Sequence, residues 1–117
     1  MTDEVASMRS VNVGQLAQEQ LDAARAASSG RSTTALFGER GSRHRQVLLA
    51  LAKDRTLSEH ENPGEATLHV IVGRVRLRAG EVSWEGGPGD HLVIPQARHD
   101  VLALEDSAVI LTVAHHA

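Results

Sequence analysis

Between residues 74 and 79 charged and apolar positions alternate without a break: Arg74, Arg76 and Arg78 against Val75, Leu77 and Ala79. That period-two pattern belongs to a β-strand with one wet face and one buried face. A two-residue Ala79-Gly80 turn would set Arg78 opposite Glu81 and Arg74 opposite Glu85,. The other face of the same hairpin would then pair Val75 with Trp84 and Leu77 with Val82,. Glutamates across the hairpin neutralise the arginine row, which makes it a solvated face and not an anion-binding stripe. Short apolar runs bounded by turn residues recur at 33–37, 44–52, 66–72, 81–85, 91–95, 98–104 and 107–114. This is the spacing of a β-sandwich or barrel.

Residues 12–29 follow a different rhythm. Leu16, Ala17, Gln20, Leu21, Ala24 and Ala27 recur at helical spacing, Asn12 with Gln15 forms a capping-box pattern, and Gly30 stands where a helix C′ residue belongs,. The stripe is thin and rich in alanine, which suits a helix laid on a larger surface. The division expected is a tail and packing helix over 1–32, followed by a β-barrel domain over 33–117. Several strands, 107–113 among them, are apolar on both faces. A barrel of this size cannot bury both sides alone, so a second subunit is expected to cover what the helix leaves, as a two-fold homodimer.

Composition narrows the function classes. The chain has 117 residues, 41% of them hydrophobic and 23% charged, which suits one folded domain,. Twelve Lys and Arg against 15 Asp and Glu leave a net charge of −3, giving no basic field for nucleic acid,. One Trp, one Phe and no Tyr argue against base stacking and aromatic cages,. The absence of cysteine excludes disulfides, thiolate metal sites and a cysteine nucleophile,. No apolar run approaches the roughly 20 residues of a membrane span, and the opening segment lacks an apolar signal core, so the expectation is a cytoplasmic protein with no membrane partner. The seven histidines are the one excess.

Two histidines fall into a pattern. Leu57-Ser58-Glu59-His60-Glu61-Asn62-Pro63-Gly64-Glu65 ends in a Pro-Gly turn, and on extended backbone His60 and Asn62 project to one face,. Farther on, Gly89-Asp90 turns into His91-Leu92-Val93-Ile94-Pro95, and Gln96-Ala97-Arg98-His99 leads into Val101-Leu102-Ala103. The chain here resembles the cupins, small β-barrels often built around a metal. Their first motif, G-x5-H-x-H-x3,4-E-x6-G, is met by Asp54-x5-His60-x-Asn62-x3-Ala66-x6-Gly73. Their second, G-x5-P-x-G-x2-H-x3-N, is met by Gly89-x5-Pro95-x-Ala97-x-His99-x3-Ala103, one residue short before the histidine. The likeness covers about residues 44–114 and is closest to the small single-domain cupins of bacteria. It implies an all-β, double-stranded β-helix (jelly-roll) barrel with the N-terminal α-helix added.

The departures fall on the chemistry. In metal-binding cupins three histidines and a glutamate hold the ion; here Asn62 and Ala66 stand at two of the four places. Two imidazoles fall short of the three protein ligands a catalytic metal keeps. The favoured reading is therefore a small-molecule pocket centred on His60, Asn62 and His99, with no firmly bound metal. The alternative is a metal-dependent dioxygenase or isomerase in which His60 and His99 ligate a divalent transition metal, with Glu65, Asn62 or water completing the sphere. A third reading is a dimeric scaffold or regulatory module without a ligand. His69 is expected to point outward, His91 to lie in a loop, and His115 and His116 to belong to a solvated tail. Gln46 sits on a strand where periodicity does not choose the inner face.

Overall fold

The structure is a computed structural model that describes residues 8–39, 41–60 and 64–115, leaving aside the side chains of residues 59 and 60. Helix α1 (Val13–Ala26) starts where the capping pattern places it, with the Asn12 side chain accepting from the Gln15 backbone N–H at 2.8 Å,. Its end differs from the expectation by three residues. Ala27 is already extended, and Gly30, at φ +70°, closes a turn by donating its N–H to the Ala27 carbonyl at 3.0 Å. The two serines at 28 and 29 favour turn geometry over helix, so the glycine ends the turn into the first strand and not the helix itself,.

Among the described residues nine strands follow: β1 (Arg31–Phe37), β2 (His44–Leu51), β3 (Thr56–His60), β4 (Gly64–Val72), β5 (Val75–Ala79), β6 (Val82–Gly86), β7 (His91–Ile94), β8 (His99–Ala103) and β9 (Ser107–His115). They form a five-stranded sheet, β1-β2-β9-β4-β7, and a four-stranded sheet, β3-β8-β5-β6. All pairings are antiparallel. This is a jelly-roll barrel with an N-terminal helix, as expected. Alternate residues of the two sheets meet in one core: Leu49, Leu68, Val70 and Val109 from the larger sheet, Val75, Leu77, Val101 and Ala103 from the smaller,.

The larger sheet is apolar on its outer side too, and the helix covers part of that side. Ala17, Leu21 and Ala24 pack on Leu48, Ala50 and Ala108 in a second core. Full burial of Leu21 contributes roughly 1.5–3 kcal/mol, and the small alanines let the helix lie close to the strands. Polar links fix its position. Ser32 donates its hydroxyl to the Gln20 side chain, and Arg25 Nε donates to Asp106 Oδ2 at 2.8 Å.

The β5–β6 hairpin keeps its expected faces but not its expected register. Ala79 pairs with Val82, Leu77 with Trp84, Arg76 with Glu85 and Val75 with Gly86. The turn is thus Gly80-Glu81, and every predicted partner moves along by two residues. Gly80 has φ +60°. A two-residue loop that wants positive φ at its first position puts glycine there and leaves alanine in the strand. Arg78 consequently reaches Asp100 on β8 at 3.2 Å instead of Glu81, while Arg74 still meets Glu85, at 3.8 Å. Gly73, directly after β4, has φ +85°, and a Cβ there would collide with the Asp106 carbonyl and with Ser107. Only glycine satisfies both constraints.

Candidate functional site

Strand register sets positions 60 and 99 level with each other near one end of the barrel. Position 66 of β4 pairs with both Val113 of β9 and Ile94 of β7, and Val113 in turn pairs with Arg45 of β2. The end of β7 leads through residues 95–98 to the start of β8 in the other sheet, where His99 stands. β3 ends at this level as well, because His60 is the register partner of His99. The sequence therefore brings positions 60 and 99 together across one strand pair, although they lie far apart along the chain.

His99 is 2% exposed, the most prominent polar side chain in the interior. It alternates inward with Val101 and Ala103, which fill the core behind it. Its Nδ1 lies 2.9 Å from the Ala97 carbonyl oxygen. A carbonyl only accepts, so Nδ1 is the donor of this contact,. A backbone contact two residues away thus fixes the orientation of the imidazole. The flanking Asp100 faces the opposite side of the strand, where it meets Arg78.

Ala97 also belongs to a cleft of about 330 Å³ lined by Leu77, Ala79, Val82, Ser83, Trp84, Leu92, Pro95 and Ala97. This cleft opens between β6 and β7, the two strands at one edge of the facing sheets. Continuing the β5–β8 register past Arg78 and Asp100 sets Ala79 level with His99. The walls are almost wholly apolar, and Ser83 and Trp84 are the lining residues that carry a polar side-chain group,.

The other candidates divide. Asn62 and the side chain of His60 lie outside the described residues. Glu65 is exposed and alternates with buried Gly64 and Ala66, so it stands on the outer side of β4 and is not brought to His99. Ala66 is 4% exposed and belongs to the inner core. At the place where the metal-binding motif requires a carboxylate, the barrel therefore holds a methyl group, which donates nothing to an ion. Among the described residues no three His, Asp or Glu side chains gather to hold a metal.

His69 points outward as expected. His91 departs from expectation: it is the first residue of β7 and the register partner of His69, with ring centroids 6.4 Å apart on the outer face. Gln46 also belongs to the outer side, where its Nε2 donates to Thr112 Oγ1 at 3.2 Å. The inner positions of β2 are instead Arg45 and Val47, in phase with the core residues Leu49 and Leu51. Sequence reasoning weighed Gln46 and passed over Arg45. The available signal was the phase of Leu49 and Leu51, but Leu48 and Ala50 gave the opposite face equal apolar weight.

No protein-family model matches the chain, and no curated protein matches it. Solved structures do. A conserved protein of unknown function from Streptococcus pyogenes superposes with a TM-score of 0.70 at 17% identity, covering 78% of this chain and 79% of that one. A cupin superfamily protein from Desulfitobacterium hafniense gives 0.68 at 17% identity, covering 74% and 78%. An RmlC-like cupin from Desulfovibrio desulfuricans gives 0.63 at 22% identity, covering 72% and 81%. The architecture is that of the small bacterial cupins.

Proposed function

We propose that this chain, a barrel of the cupin fold, binds a small polar molecule in a pocket centred on His60, Asn62 and His99, without a firmly held metal and as a cytoplasmic homodimer. The observation that carries this reading is His99 itself. A buried imidazole oriented by the Ala97 carbonyl stands beside an apolar cleft whose wall includes the same Ala97. Binding sites commonly combine apolar walls with a few fixed polar groups that set orientation. The register that opposes positions 60 and 99 supports a second imidazole acting on the same molecule. Asn62 is assigned the amide that orients the ligand. His99 is assigned the hydrogen bond to, or the proton exchange with, a polar group of the ligand. Among the described residues no helix is long and apolar enough to cross a membrane.

Thermal melting of the wild type and of His99→Ala against a library of small polar metabolites tests the reading. At least one compound should raise the wild-type melting temperature by several degrees and bind His99→Ala at least tenfold more weakly. If no compound shifts the wild type, the scaffold reading replaces this one. Metal analysis of protein purified without chelator or histidine tag covers the remaining alternative. A stoichiometric transition metal that disappears in His99→Ala would overturn the metal-free pocket.

A further inference from the structure

A second cavity, of about 210 Å³, opens at the same end of the barrel but on other strands, lined by Arg45, Val47, Leu111, Val113 and His115. Arg45 is half-buried, and its Nε is shielded from solvent with no hydrogen-bond partner. Other arginines of the chain are matched to carboxylates: Arg25 to Asp22 and Asp106, Arg74 to Glu85, Arg78 to Asp100. Arg76 shares the unpartnered Nε, but it lies opposite Glu85 on the smaller sheet, away from both cavities described. Among the described residues, Arg45 is the one with an unpartnered Nε whose side chain also lines one of these cavities. Among the described residues that cavity contains no carboxylate.

A guanidinium is always charged, and a buried donor left unsatisfied is costly. Its Nε–H and one Nη–H point the same way and match the two oxygens of a carboxylate in a parallel, two-bond contact. Val47, Leu111 and Val113 supply a short aliphatic wall beside that fork. The volume is below the roughly 300–1,000 Å³ of ordinary ligand pockets, which selects a small molecule. One fixed positive fork against an aliphatic wall suits a singly charged organic acid better than a doubly charged phosphate.

We infer that this cavity is a binding site for a small aliphatic carboxylate, anchored by the Arg45 guanidinium. The inference does not need the His99 pocket and stands or falls separately from it. The test is titration of the full chain with sodium isobutyrate, its neutral isostere isobutyramide, and inorganic phosphate, followed by amide NMR shifts and calorimetry. Isobutyrate should bind at least tenfold more tightly than isobutyramide or phosphate and perturb residues of β2 and β9. Arg45→Met and Arg45→Gln should each weaken isobutyrate at least tenfold while the ligand-free melting temperature holds or rises, because an unpaired buried donor has been removed or reduced. A purely structural arginine would give the opposite, a lowered melting temperature with unchanged binding. His99→Ala should leave isobutyrate affinity within about twofold if the two sites are separate. Equal binding of acid and amide, or tighter binding of phosphate, overturns the proposal. So does undiminished affinity in both Arg45 variants, or no isobutyrate binding at all.

Discussion

Asp54 shows how one backbone angle shapes the approach to the site. It is the sole non-glycine with positive φ among the described residues, at +71°, and its N–H donates to the Ala103 carbonyl at 2.8 Å. The cupin motif has glycine at this place, six residues before the first histidine, and the left-handed backbone gives the reason. Aspartate tolerates the conformation better than most residues, and glycine better still. Asp54→Gly should therefore hold or raise stability, by up to about 1 kcal/mol, whereas Asp54→Val should lower it by about 1–2 kcal/mol. Urea denaturation of the three proteins checks the order. At position 66 the same motif comparison has chemical consequences, since an alanine methyl there removes an ion's ligand without disturbing the barrel.

Among elements, the helix depends on one carboxylate that serves two masters. Asp106 accepts from the Lys53 backbone N–H at 2.8 Å through one oxygen and from Arg25 through the other, tying α1, the β2–β3 turn and the β8–β9 turn together. The Lys53 hydrogen bond, with that of Arg25 next, holds its carboxyl below the ordinary 3.8. A carboxyl whose folded-state pKa is depressed stabilises the fold above its unfolded value, and loses that contribution as pH falls through the folded one. Asp106→Asn should thus melt a few degrees below the wild type at neutral pH. That gap should stay constant down to about pH 5 and narrow as pH drops below the ordinary carboxyl value. A gap independent of pH would assign the strap to neutral hydrogen bonding alone.

On the scale of the whole molecule, the helix leaves part of the larger sheet's outer face open. Val93 is 70% exposed there, level with Thr67 and, beyond it, Thr112. The proposed two-fold dimer places this surface against its copy. Sizing with light scattering at micromolar concentration should give twice the 12.5 kDa of one chain, and Val93→Glu should shift the population toward monomer. A wild-type monomer under those conditions removes the dimer. The adjoining His69 and His91 pair lies on the same side of the sheet, so its resonances offer a local probe of the contact.

What the sequence determined by itself was local. Alternation fixed which side of β5 is wet, a capping pair fixed where α1 begins, and glycine positions marked the turns, because each of these follows from a few neighbouring residues and the geometry of the chain. The register of β5–β6 needed the turn's own φ values, and the true slip is invisible to a pattern that repeats every two residues. Tertiary structure decided the rest. Both faces of β2 are apolar, so only the docking of α1 on Leu48 and Ala50 reveals that Arg45 faces the interior. Only strand pairing between β3 and β8 brings positions 60 and 99 level, and only the fold puts the Ala97 carbonyl within reach of the His99 ring. Burial and long-range pairing belong to the assembled sheets, which no short stretch of sequence contains.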